Sequence, residues 1–105
     1  MWYIVTMKQR NIIIEDGKTF TVHQHIILKN FWEYYLGETD KDGVAFGYVM
    51  GFENEWGSVY LPEIEPYIIG KSRANDLFHI MPPEGYSWED ENAEQLSSHT
   101  AYETA

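Results

Sequence analysis

One hundred and five residues are the length of one domain, and 44% hydrophobic with 16% aromatic residues is enough apolar material for one core and too much for general disorder. Seven Lys and Arg face seventeen Asp and Glu, a net charge of −10 that opposes binding to nucleic acid backbones and anionic membranes. With no cysteine, a disulfide framework, thiolate chemistry and a Cys-based zinc site are excluded.

The chain opens on Trp2-Tyr3-Ile4-Val5-Thr6-Met7, a β-branched and aromatic run that suits a half-buried strand. Its apolar residues precede its basic ones, the reverse of a signal peptide, and no apolar stretch approaches the length of a membrane span. A cytoplasmic protein is the expectation. Asn11–Glu15 and Lys18–Val22 flank Asp16-Gly17, and Asp-Gly between two strand-like runs predicts a hairpin with a tight primed turn. His23–Leu28 reads as an extension of the second strand or as a short buried segment.

Phe31–Leu36 reads as a strand, residues 37–43 as a polar loop, and Val44–Gly51 as the returning strand, with Gly47 marking a bulge or a close approach. Residues 52–55 read as a turn and Trp56–Leu61 as the next strand. Pro62 suits the first turn of a helix that begins Pro62-Glu63-Ile64-Glu65, with Gly70 as its stop. Asp76–Ile80 reads as a final strand. From Glu84 to Ala105 there are six acids and no Lys or Arg. The expected architecture is therefore an α+β single domain over residues 1–90. It has an antiparallel sheet of five or six strands and one short helix, followed by an acidic, flexible C-terminal tail over residues 91–105.

The order Phe31–Leu36, Gly43, Phe46-Gly47-Tyr48-Val49, Gly51-Phe52, Glu55-Trp56-Gly57, Leu61-Pro62-Glu63-Ile64 and Asp76-Leu77-Phe78 resembles a family of small uncharacterised domains carried by phages, plasmids and other mobile elements. The resemblance covers roughly residues 31–80, and its motifs are short and structural. It implies a genomic setting, viral or plasmid cargo that acts on a host protein, and it carries over no catalytic residue.

His23 and His25, two apart on a strand, would share a face about 7 Å apart and could hold a metal with His79 or a glutamate, but no third ligand has a telling spacing. Glu53/Glu55 and Glu63/Glu65 form carboxylate pairs, yet turn glutamates in water lack the apolar pocket that raises one pKa for acid–base work. No nucleophile elbow, phosphate-binding glycine loop or catalytic triad order is visible. No enzyme, cofactor or metal site is expected. The aromatics are too many for one small core, so some of Tyr34, Tyr48, Trp56 and Tyr60 should face outward, where Tyr and Trp favour protein interfaces. Glu38, Asp40, Asp42, Glu53 and Glu55 should cluster beside them. The predicted partner-binding set is thus Glu38, Asp40, Asp42, Glu53, Glu55, Trp56, Tyr48 and Tyr60. It suits a basic host protein, such as a nuclease or CRISPR effector, with no direct contact to nucleic acid or membrane. In that reading the protein is an inhibitor of anti-CRISPR or anti-restriction type, a DNA mimic whose carboxylates occupy sites for phosphates. The alternatives are a homo-oligomeric accessory protein, such as a homodimer, and a His-based metal protein or enzyme.

Overall fold

The Asp16-Gly17 hairpin forms as its residues dictate. In the computed structural model, which describes residues 11–73 and 80–89, β1 (Ile12–Glu15) pairs antiparallel with β2 (Lys18–Thr21). Asp16 and Gly17 both have positive φ, 55° and 76°, as a type I′ turn requires. The hairpin is a two-stranded sheet of its own.

The remaining strands form a second, five-stranded antiparallel sheet. They are β3 (Gln24–Leu28), β4 (Glu33–Leu36), β5 (Val44–Met50), β6 (Asn54–Tyr60) and β7 (Ile68–Arg73), in the order β6-β5-β4-β3-β7. β3 to β6 are a meander in chain order, and β7 then returns to pair with β3. Between β6 and β7 lie the one-turn helix α1 (Leu61–Ile64) and a 3-10 turn (Glu65–Tyr67), with prolines in the first turn of each. An α+β domain results.

The short connector shows how the sheet is shaped. The pairings make β6 and β7 parallel and place them at opposite edges. Four residues of α-helix and three of 3-10 helix span only about 12 Å. The outer strands of a flat five-stranded sheet would stand about 19 Å apart. The sheet therefore curls, which brings the end of β6 nearer the start of β7 than a flat sheet allows. Gly47 permits the tightest contact within it: a Cβ there would lie 2.1 Å from the Tyr35 carbonyl oxygen and 2.7 Å from the Leu36 Cα. The glycine marks a close approach of β5 to β4.

Curling explains how one helical turn suffices. The concave face buries Ile26, Leu28, Tyr34, Leu36, Ala45 and Leu61, with Val49, Val59, Ile64 and Ile68 packed around them. Each such aliphatic side chain contributes about 1.5–3 kcal/mol when fully buried. The convex face is covered from outside by the hairpin, through Ile13 and Val22, and by the segment 80–89, through Trp88. That segment is tied to the hairpin by a bridge between Ile12 and Glu89, and it closes on itself through the Trp88 indole N–H, which donates to the Ile80 carbonyl at 2.7 Å.

Several boundaries differ from the sequence reading. The helix ends at Ile64 and its 3-10 continuation at Tyr67, so Gly70 lies inside β7 and stops nothing. Pro66 restarts the turn as 3-10, and β-branched Ile68 and Ile69 then favour the strand. β4 begins at Glu33, leaving Phe31 and Trp32 in the β3–β4 turn, where the Trp32 carbonyl accepts from the Leu28 N–H. β6 begins at Asn54, so the β5–β6 turn is only residues 51–53. The expected strand at Trp2–Met7, the tail at 91–105 and all of the expected strand Asp76–Ile80 but its last residue lie outside the described residues; Ile80 itself is not in a strand.

Candidate protein-binding surface

Antiparallel pairing sets one row of side chains across the convex face. His25 opposes Tyr35, Tyr35 opposes Tyr48, and Tyr48 opposes Trp56. The row grades from covered to open. Tyr48, expected at a docking surface, is only 8% exposed and belongs to the core beneath the hairpin. Tyr34 is likewise buried, on the concave face. Trp56, on the edge strand, is half-buried.

Trp56 is the hub of an aromatic cluster. Phe46 stacks on it at 5.9 Å and 18° with half its surface open, and Phe20 of the hairpin meets both rings edge-on at 5.1 and 6.1 Å. Tyr86 stands perpendicular to Trp56 at 6.2 Å and packs edge-on against Tyr48 at 5.1 Å. The Trp56 indole N–H donates to the Tyr86 hydroxyl at 3.3 Å, and that hydroxyl donates to Glu15. Burial and the bond to Glu15 push the Tyr86 pKa upward. Close by, the Asn54 amide donates to Glu84 at 3.1 Å. Rings and carboxylates thus do meet on this side, but through Glu15 and Glu84, which were not in the predicted set.

The predicted carboxylates do not form one cluster. Glu38, Asp40 and Asp42 lie in the β4–β5 loop, at one end of the sheet; Glu53 and Glu55 lie at the other, beside the β5–β6 turn. The seven residues of β5 separate the two groups by about 20 Å. Successive antiparallel connections alternate between ends, so neighbouring turns cannot share one. Tyr60 joins the first group, since it opposes Val44, and a Cβ on Gly43 would lie 3.3 Å from its ring. Asp40 has a structural task there. Its Oδ1 accepts from the backbone N–H groups of Asp42 at 2.8 Å and Val44 at 3.0 Å, closing the turn around Gly43, whose φ is 87°.

The histidines take separate partners. The His23 Nδ1 lies 3.7 Å from a Glu38 oxygen, whereas the His25 Nε2 lies 2.9 Å from Glu33 Oε1. Among the described residues, no group of three or more His, Asp or Glu is placed to hold a metal ion; His79 lies outside them. The Tyr35 hydroxyl stands 3.0 Å from both Glu33 Oε1 and the Met81 carbonyl oxygen, one proton before two acceptors. Burial, then the Glu33 charge, pushes the Tyr35 pKa well above its usual range. His25, Glu33 and Tyr35 form a polar knot that ties segment 80–89 to the sheet. Among the described residues every ion pair has a histidine as its cationic member, which leaves Glu53, Glu55, Glu63 and Glu65 facing solvent without Lys or Arg.

Sequence reasoning missed Phe46, Phe20 and Tyr86 because their meeting depends on how the hairpin and the C-terminal segment land on the sheet. Phe46 alone carried a signal: it alternates with Tyr48 along β5 and so shares its face. Comparison with protein-family models, curated proteins and solved structures finds no match for this chain.

Proposed function

We propose that the protein is a non-catalytic, acidic binding module for a cationic surface on another protein. The observation that carries this reading is the half-open Phe46 ring stacked on Trp56 at the convex edge, beside Glu15 and Glu84, with no Lys or Arg paired to an exposed carboxylate among the described residues. The rings offer a dry, rigid contact area, and the carboxylates select and steer a positive partner. Proteins that handle nucleic acids present such positive surfaces to phosphates. The resemblance to mobile-element domains adds a setting in which blocking one would be useful. An inhibitor of a host nuclease or CRISPR effector, acting as a DNA mimic in the cytoplasm, is the specific form of the proposal.

Pull-down against host nucleases and CRISPR effectors, followed by titration at rising salt, tests it. Affinity should fall steeply between about 50 and 300 mM salt as screening shortens the reach of the charges. Trp56→Ala should weaken it at every salt concentration. Affinity indifferent to both sinks the proposal.

A second reading, self-association, is favoured by one feature: among the described residues β6 is an edge strand with one side unpaired. The −10 charge opposes it. A stable dimer by sedimentation, broken by Ser58→Pro, would support it.

A further inference from the structure

At the end of the sheet opposite the Asp40 loop, two turns each carry a phenylalanine into solvent. Phe52, in the β5–β6 turn, is 93% exposed, and Phe31, in the β3–β4 turn, is 77% exposed. Trp32 follows Phe31 in the chain, and its ring meets Phe52 edge-on at 5.2 Å and packs over Gly51, where a Cβ would come within 2.7 Å of it. The Lys29 N–H donates to the Tyr67 carbonyl at 2.8 Å, which brings half-exposed Tyr67 to the same end.

Phe31 is held at φ 69°, in the left-handed region that bulky side chains avoid. A Gly or Asn would fit the turn better. Neither backbone preference nor burial accounts for a phenylalanine there, and strain of this kind concentrates at functional positions. Both turns are pinned: the Asn30 side-chain oxygen accepts from the Trp32 N–H at 3.1 Å, and the Gly51 N–H donates to the Glu53 carbonyl at 3.2 Å. The backbone that carries the rings is thus held in place, which lowers the entropy lost on docking.

We propose that Phe31, Trp32 and Phe52 form an anchor that inserts into an apolar pocket with a cationic rim on a partner protein. The rim follows from the charge around the tip. Glu53 and Glu55 follow Phe52, Glu65 precedes Tyr67, and Glu84 is held by Asn54; Lys29 is the cation of the β3–β4 turn. That surround, on a chain of net charge −10, disfavours an anionic lipid surface and a second copy of the chain. The anchor rests on the binding-module reading but not on the Phe46–Trp56 edge.

A displayed library of random 16-residue peptides tests it, selected on the wild-type protein and counter-selected on the Phe31→Asn/Phe52→Ser double variant. The expected winners carry Lys or Arg around Leu, Ile, Met or Trp and bind wild type at least about tenfold tighter than the double variant, a difference of about 1.4 kcal/mol. Phe31→Asn should hold or raise Tm, because Asn tolerates the left-handed region. A fall of more than about 4 °C would make Phe31 a structural residue and overturn the proposal. So would peptides that bind the double variant equally well; if these lose affinity with Trp56→Ala, the module reading survives and the anchor fails. Phenylalanine-dependent binding to phosphatidylcholine vesicles, or a wild-type dimer lost in the double variant, would replace the protein partner with a membrane or a second copy and equally overturn it.

Discussion

The two faces of the five-stranded sheet solve the same problem differently. The concave face covers itself: curvature, one glycine and a single helical turn bury Ile26 and Leu36 completely. The convex face borrows its cover from two other parts of the chain, the β1–β2 hairpin and residues 80–89, and the cover stops short of the β6 edge. The inner face is mostly aliphatic, with Tyr34 among it, and shut, whereas the outer one is aromatic and grades from buried Tyr35 to open Phe46. On the convex face, aromatic surface is therefore open to solvent where the borrowed cover ends.

The contrast breaks most severely at Gly47. Gly47→Ala places a methyl inside the van der Waals radius of β4 backbone atoms, which cannot move aside, and should cost about 4 kcal/mol or more in denaturant unfolding. A loss below about 1 kcal/mol would mean that the sheet is flatter than described. Leu36→Ala should cost about 3 kcal/mol, as expected for a filled aliphatic interior that cannot collapse into the gap. At the rim, Asp40→Ala removes the acceptor for two backbone N–H groups and should cost about 1–2 kcal/mol, while Asp42→Ala should cost close to nothing.

On the outer face, Tyr35→Phe should cost about 1 kcal/mol at neutral pH, and its distinctive effect is on pH. Because the folded pKa of Tyr35 is raised, this stabilisation is fully present below pH 10.0 and is lost as pH rises above it, where the unfolded chain ionises first. Wild type should therefore lose stability more steeply than Tyr35→Phe in alkaline melts; parallel curves would refute the buried hydroxyl. Phe46→Ser removes one half-buried ring from the stack on Trp56 and should cost about 1 kcal/mol. It should also weaken the proposed partner binding, and a stability loss like that of Leu36→Ala would move Phe46 into the core.

Local chemistry made much of this legible in the sequence. Asp16-Gly17 specified its hairpin because a primed turn depends on two residues, and the β-branched and aromatic runs of β4 to β6 read as strands, although their order in the sheet was not legible. The curl was not legible, since it follows from pairing β3 with β7 across more than forty residues. Phe31 was read as strand because aromatic residues favour strands, but Asn30 turns the chain there. Asp40 looked like one more free carboxylate; its two backbone donors are set by turn geometry. The split of the predicted acids between two ends followed from strand direction, which the spacing of charges does not encode.

The closing strand has a temporal consequence. Gln24 must wait for Arg73 before the interior can shut, so as the chain emerges from a ribosome the meander would exist for a time with its oily side facing water. Folding should then be limited by that one long-range encounter, making the protein slow for its size and dependent on β7 for its speed.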